Sequence, residues 1–330
     1  MIRRGTVPAK LMLAGEYSIL LPNSAALLLA LEDGFEWEFE EGSGDLRVEL
    51  PDINFAEAYN CRSLYPAGAG TPAGVRLVLE VARHLGIDGG RFRFGRRFPL
   101  PSSGSAALVV AAARAMAPGG LDDDTLFRLA ATIHGEIQGG GSGADVAACV
   151  FGGIVRVTRG VGMLPWEDGG DSWPLVESRP WTGNRRWYLC GDSGERSDTG
   201  EMLKQLGTAA MAPDCLESHK ARSNTLVSGL WETDSANCAE AAKGANESLR
   251  ELNRRVLPGI FTKSMDEMLQ SAGVPCRPSG AGGGDCVIGW STDFTRAERG
   301  LRRWKELGYR GWLINPDGSF CEKTRRGVRE

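Results

Sequence analysis

The amino-acid sequence predicts an α+β protein with two domains and a ligand site between them. A chain of 330 residues exceeds what one hydrophobic core usually organises, and we place the domains at residues 1–160 and 161–330. Helical and alternating apolar patterns are mixed in both halves rather than separated. Glycine, which lets a backbone approach a ligand closely, is concentrated at 139–143, 152–153 and 280–284. We interpret these clusters as walls of one site.

In the first half, alternation and helical periodicity predict most elements. Residues 35–40 and 46–50 alternate between apolar and polar side chains, and a turn at 42–45 predicts that these two strands form a hairpin. One helix begins at consecutive aspartates, whose charge suits the positive end of a helix dipole. The remaining predictions are strands at 6–14, 91–95 and 154–157, a buried strand or short helix at 25–31, and helices at 72–86, 108–116 and 122–138.

The second half opens with residues 159–183, which are rich in glycine, proline, tryptophan and acidic residues. This composition predicts a surface excursion at the domain boundary. Helices are expected over much of 215–271, with breaks near Asp234 and Pro258, and again at 294–307. Short strands are predicted at 187–190, 286–289 and 311–314.

Charge and cysteine usage exclude several classes of function. The net charge is −4 and no basic run occurs, so we expect no nucleic-acid partner. No apolar run reaches membrane-spanning length, and Lys10 and Glu16 interrupt the N-terminal apolar segment, so neither a membrane partner nor a signal peptide is expected. The cysteines stand singly without zinc spacing, a pattern typical of a reduced, cytoplasmic protein. The oligomeric state stays open, with a homodimer as one candidate.

Residues 97–107 form the most informative stretch. Pro99 and Pro101 precede Ser102 and Ser103, and an alanine-rich helical segment follows. The first N–H groups of a helix have no internal acceptor and favour an anion, so the stretch predicts a phosphate cradle. A serine-capped helix start is the structural alternative.

Three other features point to the same site. Residues 280–284 contain four glycines before a predicted strand, whereas a tight turn needs one or two. Lys10 lies in an apolar strand, where Glu16 could neutralise its charge, unless its side chain extends outward to solvent. Asp145 follows a glycine-rich loop at a predicted helix start, where it either caps the helix or points into a cleft.

Residues 8–10, the loop of Ser102 and Ser103, and residues 279–284, in this order, resemble the three signature motifs of the GHMP kinase superfamily. The resemblance spans nearly the whole chain. It implies a ribosomal protein S5 domain 2-like N-terminal domain and a ferredoxin-like C-terminal domain. Residues 14–20, 102–105, 141–147 and 279–285 are most similar to the phosphomevalonate kinase branch.

This branch implies transfer of the γ-phosphoryl group of ATP, with Mg²⁺, to phosphomevalonate in isoprenoid biosynthesis. The alternatives are another GHMP kinase (a mevalonate or sugar kinase), a diphosphomevalonate decarboxylase, and a weakly active or non-catalytic paralogue that binds an anionic ligand. A soluble interaction protein without a pocket is a further alternative.

The resemblance also implies roles for individual residues. Lys10 and Asp145 are the catalytic candidates: Lys10 neutralises charge near the acceptor, and Asp145 orients the acceptor or acts electrostatically. Mg²⁺ would be held by Ser103 and Glu136. The ATP phosphates would be bound by Pro101, Ser102, Ser103, Gly104 and Ser105. The small-molecule substrate would be contacted by Ser142, Ser197, Thr199, Ser279, Gly280, Ala281, Gly282 and Gly283.

One departure from the family pattern stands out. The cradle typically reads Gly-Leu-Gly-Ser-Ser, but here Pro99 and Pro101 replace both glycines. Proline has no N–H and fixes φ near −65°. Each lost charge-assisted hydrogen bond to a phosphate would cost about 1.5–3 kcal/mol, so we expect the donors of the helix turn to carry the binding.

Overall fold

The computed structural model describes residues 1–60, 71–97, 104–160, 173–195, 213–232 and 235–321, together with Met202 and Gln205. Within these ranges lie eleven strands and eight α-helices. They form two separate sheets with helices packed against them, which confirms the α+β class.

The first sheet has seven strands and is organised around β2, which pairs with β1, β5 and β6. The predicted segments at 25–31 and 35–40 are parts of this single strand. Gly34 joins them where β1 bulges, and a Cβ there would lie 2.1 Å from the Val7 carbonyl oxygen. The strands are β1 (Ile2–Ala14), β2 (Ser24–Glu41), β3 (Asp45–Leu50), β4 (Phe55–Asn60), β5 (Gly90–Arg96), β6 (Ile154–Arg159) and β7 (Leu175–Arg179).

The predicted hairpin of residues 35–40 and 46–50 is wrong. Strand β3 pairs in parallel with β5 and antiparallel with β4, so β5 lies between β2 and β3. Both strands do alternate as predicted, with Leu46 and Val48 fully buried. Alternation fixes which face of a strand is buried but not which strand lies beside it, and here a distant segment takes the neighbouring place.

Four helices accompany this sheet: α1 (Ala73–His84), α2 (Ser105–Met116), α3 (Asp123–Gln138) and α4 (Ala144–Phe151). Helix α2 is the central one and is almost wholly buried, because its side chains are apolar on every face. Helix α3 begins as predicted: the Asp122 carboxylate accepts a hydrogen bond from Thr125 N at 2.9 Å. Helices α2 and α4 pack on β1 and β2, which brings both helix starts towards Lys10 on β1.

The second domain contains a four-stranded antiparallel sheet in the order β11-β8-β10-β9. The first strand of this sheet lies between the last and the third, which is the ferredoxin-like arrangement. Its elements are β8 (Trp187–Asp192), α5 (Pro213–Trp231), α6 (Ser235–Arg255), α7 (Lys263–Ser271), β9 (Cys276–Ser279), β10 (Cys286–Ser291), α8 (Phe294–Glu306) and β11 (Arg310–Ile314).

One large buried cluster contains residues of both domains, and two smaller clusters are separate from it. Strand β7 pairs with β6, so the first sheet continues past the predicted boundary between residues 160 and 161. Helix α5, in turn, packs against β2, and its Leu226 and Val227 join the buried cluster of the first domain. In the part of the chain that the structure describes, no helix combines the length and apolar character needed to cross a membrane.

Candidate active site

Lys10 and Asp145 meet at the centre of the molecule. Lys10 lies on β1 opposite Ala30. Asp145 is the second residue of α4, and this helix begins directly after Gly143, which has a left-handed backbone conformation. The Lys10 ammonium is 2.6 Å from an Asp145 carboxylate oxygen, and the two side chains are 13% and 32% exposed. Asp145, and not the suggested Glu16, is therefore the carboxylate that neutralises Lys10.

Each member of the pair stabilises the ionised form of the other. Burial by itself would lower the pKa of Lys10, but the charge and hydrogen bond of Asp145 together outweigh it, and the pKa is raised. Burial would likewise raise the pKa of Asp145, but the charge and hydrogen bond of Lys10 lower it. Both groups therefore remain ionised at neutral pH.

A cleft with a cavity volume of about 100 Å³ opens onto this pair. One wall is apolar and is formed by Met12, Tyr17, Ile19 and Leu20. The remaining lining is polar or backbone, and comes from Lys10, Glu16, His134, Gln138, Gly141, Ser142, Gly143, Asp145, Gly280 and Ala281.

The segment that follows the first sequence motif contacts the third motif and its flanking strand beside the cleft. Glu16 and Arg277 form an ion pair with both side chains fully buried, and Arg277 Nε donates to Glu16 Oε1 at 3.2 Å. The Tyr17 hydroxyl donates to the Ala281 carbonyl. Ser279 Oγ donates to the Met12 carbonyl at 2.9 Å. These contacts join β1 and the turn after it to the C-terminal domain.

The glycine run at 280–284 has two structural roles. Gly280, Gly282, Gly283 and Gly284 all have positive φ. At Gly282 a Cβ would lie 2.4 Å from the Ile260 carbonyl oxygen, which also accepts a hydrogen bond from Gly283 N at 2.8 Å. Gly280, in contrast, faces the cleft with open space at its Cβ position. Part of the run therefore packs on Ile260, and its first residues line the site.

Sequence reasoning missed a polar cluster between α2 and α3. Ser105 is the first residue of α2, and its Oγ is 3.0 Å from His134 Nε2 and 3.1 Å from Gln138 Nε2. His134 and Gln138 are both on α3 and both line the cleft. Their i,i+4 spacing on an otherwise apolar helix face is a signal that could have identified them.

The other predicted residues divide into three groups. Gly104 precedes α2 as its N-cap, and Ser142 lines the cleft while its Oγ accepts a hydrogen bond from Ala144 N at 3.3 Å. The Glu136 side chain is exposed on α3 and is not part of the cleft lining, so the geometry does not bring it to the site. The remaining predicted site residues lie outside the described residues: Pro101, Ser102, Ser103, Ser197 and Thr199.

Two family models match the sequence of this chain, one in each half. The model of the GHMP kinases N terminal domain matches residues 75–153, and the model of the GHMP kinases C terminal domain matches residues 233–310. The chain belongs to the GHMP kinase superfamily.

Two sequence relatives and one solved structure are similar to most of this chain. Phosphomevalonate kinase of Streptomyces sp. (strain CL190) is 26% identical, with 91% of this chain and 93% of the relative covered. Mevalonate kinase of Archaeoglobus fulgidus is 26% identical, with 66% of this chain and 71% of the relative covered. The solved structure of Streptococcus pneumoniae phosphomevalonate kinase in complex with phosphomevalonate and AMPPNP has a TM-score of 0.74 at 20% identity, covering 94% of this chain and 97% of that chain. This last likeness establishes the shared fold.

Proposed function

We propose that this GHMP-family kinase transfers the γ-phosphoryl group of ATP to the phosphate of phosphomevalonate, giving ADP and a diphosphate. The observation that carries the proposal is the Lys10–Asp145 pair, which lies in a cleft bordered by the first and third motifs. The phosphomevalonate kinase similarity over nearly the full length of both chains supports this acceptor.

The start of α2 suits the nucleotide phosphates. Helix geometry leaves the N–H groups of Ser105, Ala106 and Ala107 without intrahelical acceptors, and the helix dipole favours negative charge there. Ser102 and Ser103 precede this turn in sequence. Fixed N–H groups of this kind bind phosphate without reorganising during the reaction.

Lys10 and Asp145 suit the acceptor side. In the reaction an acceptor oxygen forms a bond to the γ-phosphorus while the bond to the ADP oxygen breaks, and negative charge is spread over the transferring group. The Lys10 ammonium would neutralise part of this charge. A phosphate acceptor is already ionised, so Asp145 would orient Lys10 and the acceptor rather than remove a proton.

The described residues can supply only a few of the ligands of a Mg²⁺ ion. Among the described residues, no three His, Cys, Asp or Glu side chains come together as a metal site. Mg²⁺ commonly binds through substrate phosphates, waters and one or two protein oxygens. Asp145 and the sequence-predicted Ser103 would supply such oxygens, with the ATP phosphates providing the rest. Magnesium would contribute charge neutralisation at those phosphates.

A mevalonate kinase activity is the second candidate, and one observation favours it. Within the described lining of the cleft, Lys10 is the one cationic side chain, and Asp145 already neutralises it. A hydroxyl acceptor brings less negative charge than a phosphate and needs a base, which Asp145 could provide. The similarity to a mevalonate kinase agrees with this candidate.

A substrate panel tests the proposal. Phosphomevalonate, mevalonate and homoserine are each supplied with MgATP, and ADP release is measured. We expect turnover with phosphomevalonate. Failure of the protein to bind ATP at millimolar concentration with Mg²⁺ would contradict a kinase function altogether.

Asp145→Asn separates the two candidates. Loss of a general base typically costs about 10²–10⁴-fold in rate, whereas loss of an orienting carboxylate costs less. Asp266→Asn is the matched control, because Asp266 is also in the first turn of a helix (α7) and also pairs with a cation, Arg250, at 2.6 Å. Lys10→Met should reduce turnover for either acceptor. Unchanged turnover in Lys10→Met or Asp145→Asn would contradict the assigned site.

A further inference from the structure

The polar cluster between α2 and α3 joins the start of α2 to two side chains that line the cleft. Ser105 opens α2, while His134 and Gln138 are on successive turns of α3. His134 is only 8% exposed. It also interacts electrostatically with both Lys10 and Asp145. A buried polar side chain in this place needs a partner, and Ser105 provides it.

One assignment of hydrogens lets the Ser105 hydroxyl accept from Gln138 and donate to His134. The Gln138 Nε2 group donates to Ser105 Oγ at 3.1 Å. The single hydroxyl hydrogen of Ser105 is then free to be donated to His134 Nε2, 3.0 Å away. This arrangement requires a neutral imidazole with its hydrogen on Nδ1. Burial lowers the pKa of His134 to about 4, which agrees with the assignment.

We propose that His134 is a positioning residue that fixes the first turn of α2 relative to the Lys10–Asp145 pair. The inference rests on the proposed kinase function. The Ser105 side chain is held from one side by His134 and Gln138, so the first turn of α2 keeps a fixed position relative to the cleft that these two residues line. A charged imidazole would donate from Nε2, and Ser105 Oγ would then face two donors while its own hydrogen lost its acceptor.

The test compares His134→Leu, His134→Gln and wild type for MgATP affinity by calorimetry and for kcat and KM by ADP release. We expect His134→Leu to weaken MgATP binding by roughly tenfold, as expected for one lost hydrogen bond in a buried site. The KM of the acceptor should change much less. His134→Gln offers an amide oxygen to Ser105 and should recover most of the affinity.

Two further variants separate positioning from general destabilisation. Ser105→Ala removes the same hydrogen bond while keeping the backbone N–H, so Ser105→Ala/His134→Leu should bind MgATP no more weakly than Ser105→Ala alone. His84→Gln alters a histidine on α1, which is not part of the cleft, and should behave as wild type. If His134→Leu does not fold, Ser105→Ala carries the same expectation.

The outcomes distinguish failure of the positioning role of His134 from failure of the proposed kinase function. If wild type binds MgATP and His134→Leu binds it equally well, the positioning role of His134 is overturned and the proposed kinase function is not. Equal weakening for ATP and for the acceptor would also overturn it, because the effect would not be specific to the α2 turn. Wild type that fails to bind MgATP would overturn the proposed function and the positioning role together.

Discussion

The buried ion pair between Glu16 and Arg277 offers the sharpest test of how the two domains are held together. Both side chains are fully buried, and their contact spans 261 residues of sequence from β1's turn to β9. Replacing Arg277 by Met leaves the Glu16 carboxylate buried without its cation. Replacing Glu16 by Gln leaves the guanidinium buried without its anion.

The expected loss of stability is large because both charged side chains are completely buried. Removing one partner of such a pair typically costs about 3–5 kcal/mol, because the remaining charge is left uncompensated. This is a large share of a total stability of about 5–15 kcal/mol. Replacing both partners with apolar residues, as in Glu16→Leu/Arg277→Met, removes both charges and should cost much less than the two single changes added together. The interaction energy in the double-mutant cycle should therefore be large.

Urea denaturation followed by tryptophan fluorescence and circular dichroism measures these differences. The matched control is Arg4–Glu38, an ion pair 2.6 Å long with side chains 69% and 29% exposed. Its disruption by Arg4→Met should cost less than about 1 kcal/mol. A single change at Arg277 costing no more than this control would refute the reasoning, and so would a double variant as unstable as the sum of its singles.

Three other predictions concern the glycine run, the buried histidines and the prolines. Gly282→Ala should destabilise the protein by at least about 1 kcal/mol more than Gly280→Ala in urea denaturation, because both have positive φ but only Gly282 lacks room for a Cβ. Burial lowers the pKa of His134 and of His219 to about 4 from 6.5, so the unfolded chain binds more protons below pH 6.5. Stability should therefore fall as the pH drops from 6.5 towards 4, by up to about 1.4 kcal/mol per pH unit for each histidine, and His219→Gln should reduce the slope measured between pH 5 and 6.5. Pro101→Gly should tighten ATP binding in calorimetry, because it restores one N–H donor; unchanged affinity would mean that the proline only shapes the helix entry.

Local chemistry explains what the sequence could predict. The start of α3 at Asp122 and the helix start before Asp145 depend on capping and charge within a few residues. Lys10 was identified because a lysine among buried strand residues demands a partner. The family resemblance, which the two domain matches confirm, then predicted that these features belong to one site.

Non-local pairing explains what the sequence could not predict. The strand that takes the expected hairpin partner's place beside residues 35–41 of β2 is β5, whose residues follow the expected partner by about 45 positions in the sequence. The partner of Lys10 is on α4 rather than at the nearby Glu16. The i,i+4 spacing of His134 and Gln138 marks a polar pair on an apolar helix face, but the sequence does not show that this face meets Ser105 on α2.

The contacts of the turn after β1 change the meaning of the first and third motifs. The sequence suggested that both converge on a ligand. In the structure the segments beside them contact each other: Arg277 neutralises Glu16, and Tyr17 donates to Ala281. His219 Nε2, on α5, also lies 2.9 Å from the Glu16 carbonyl oxygen. Since a site whose walls are already held in place spends less binding energy on ordering itself, these buried contacts favour a cleft that is preorganised for its substrates.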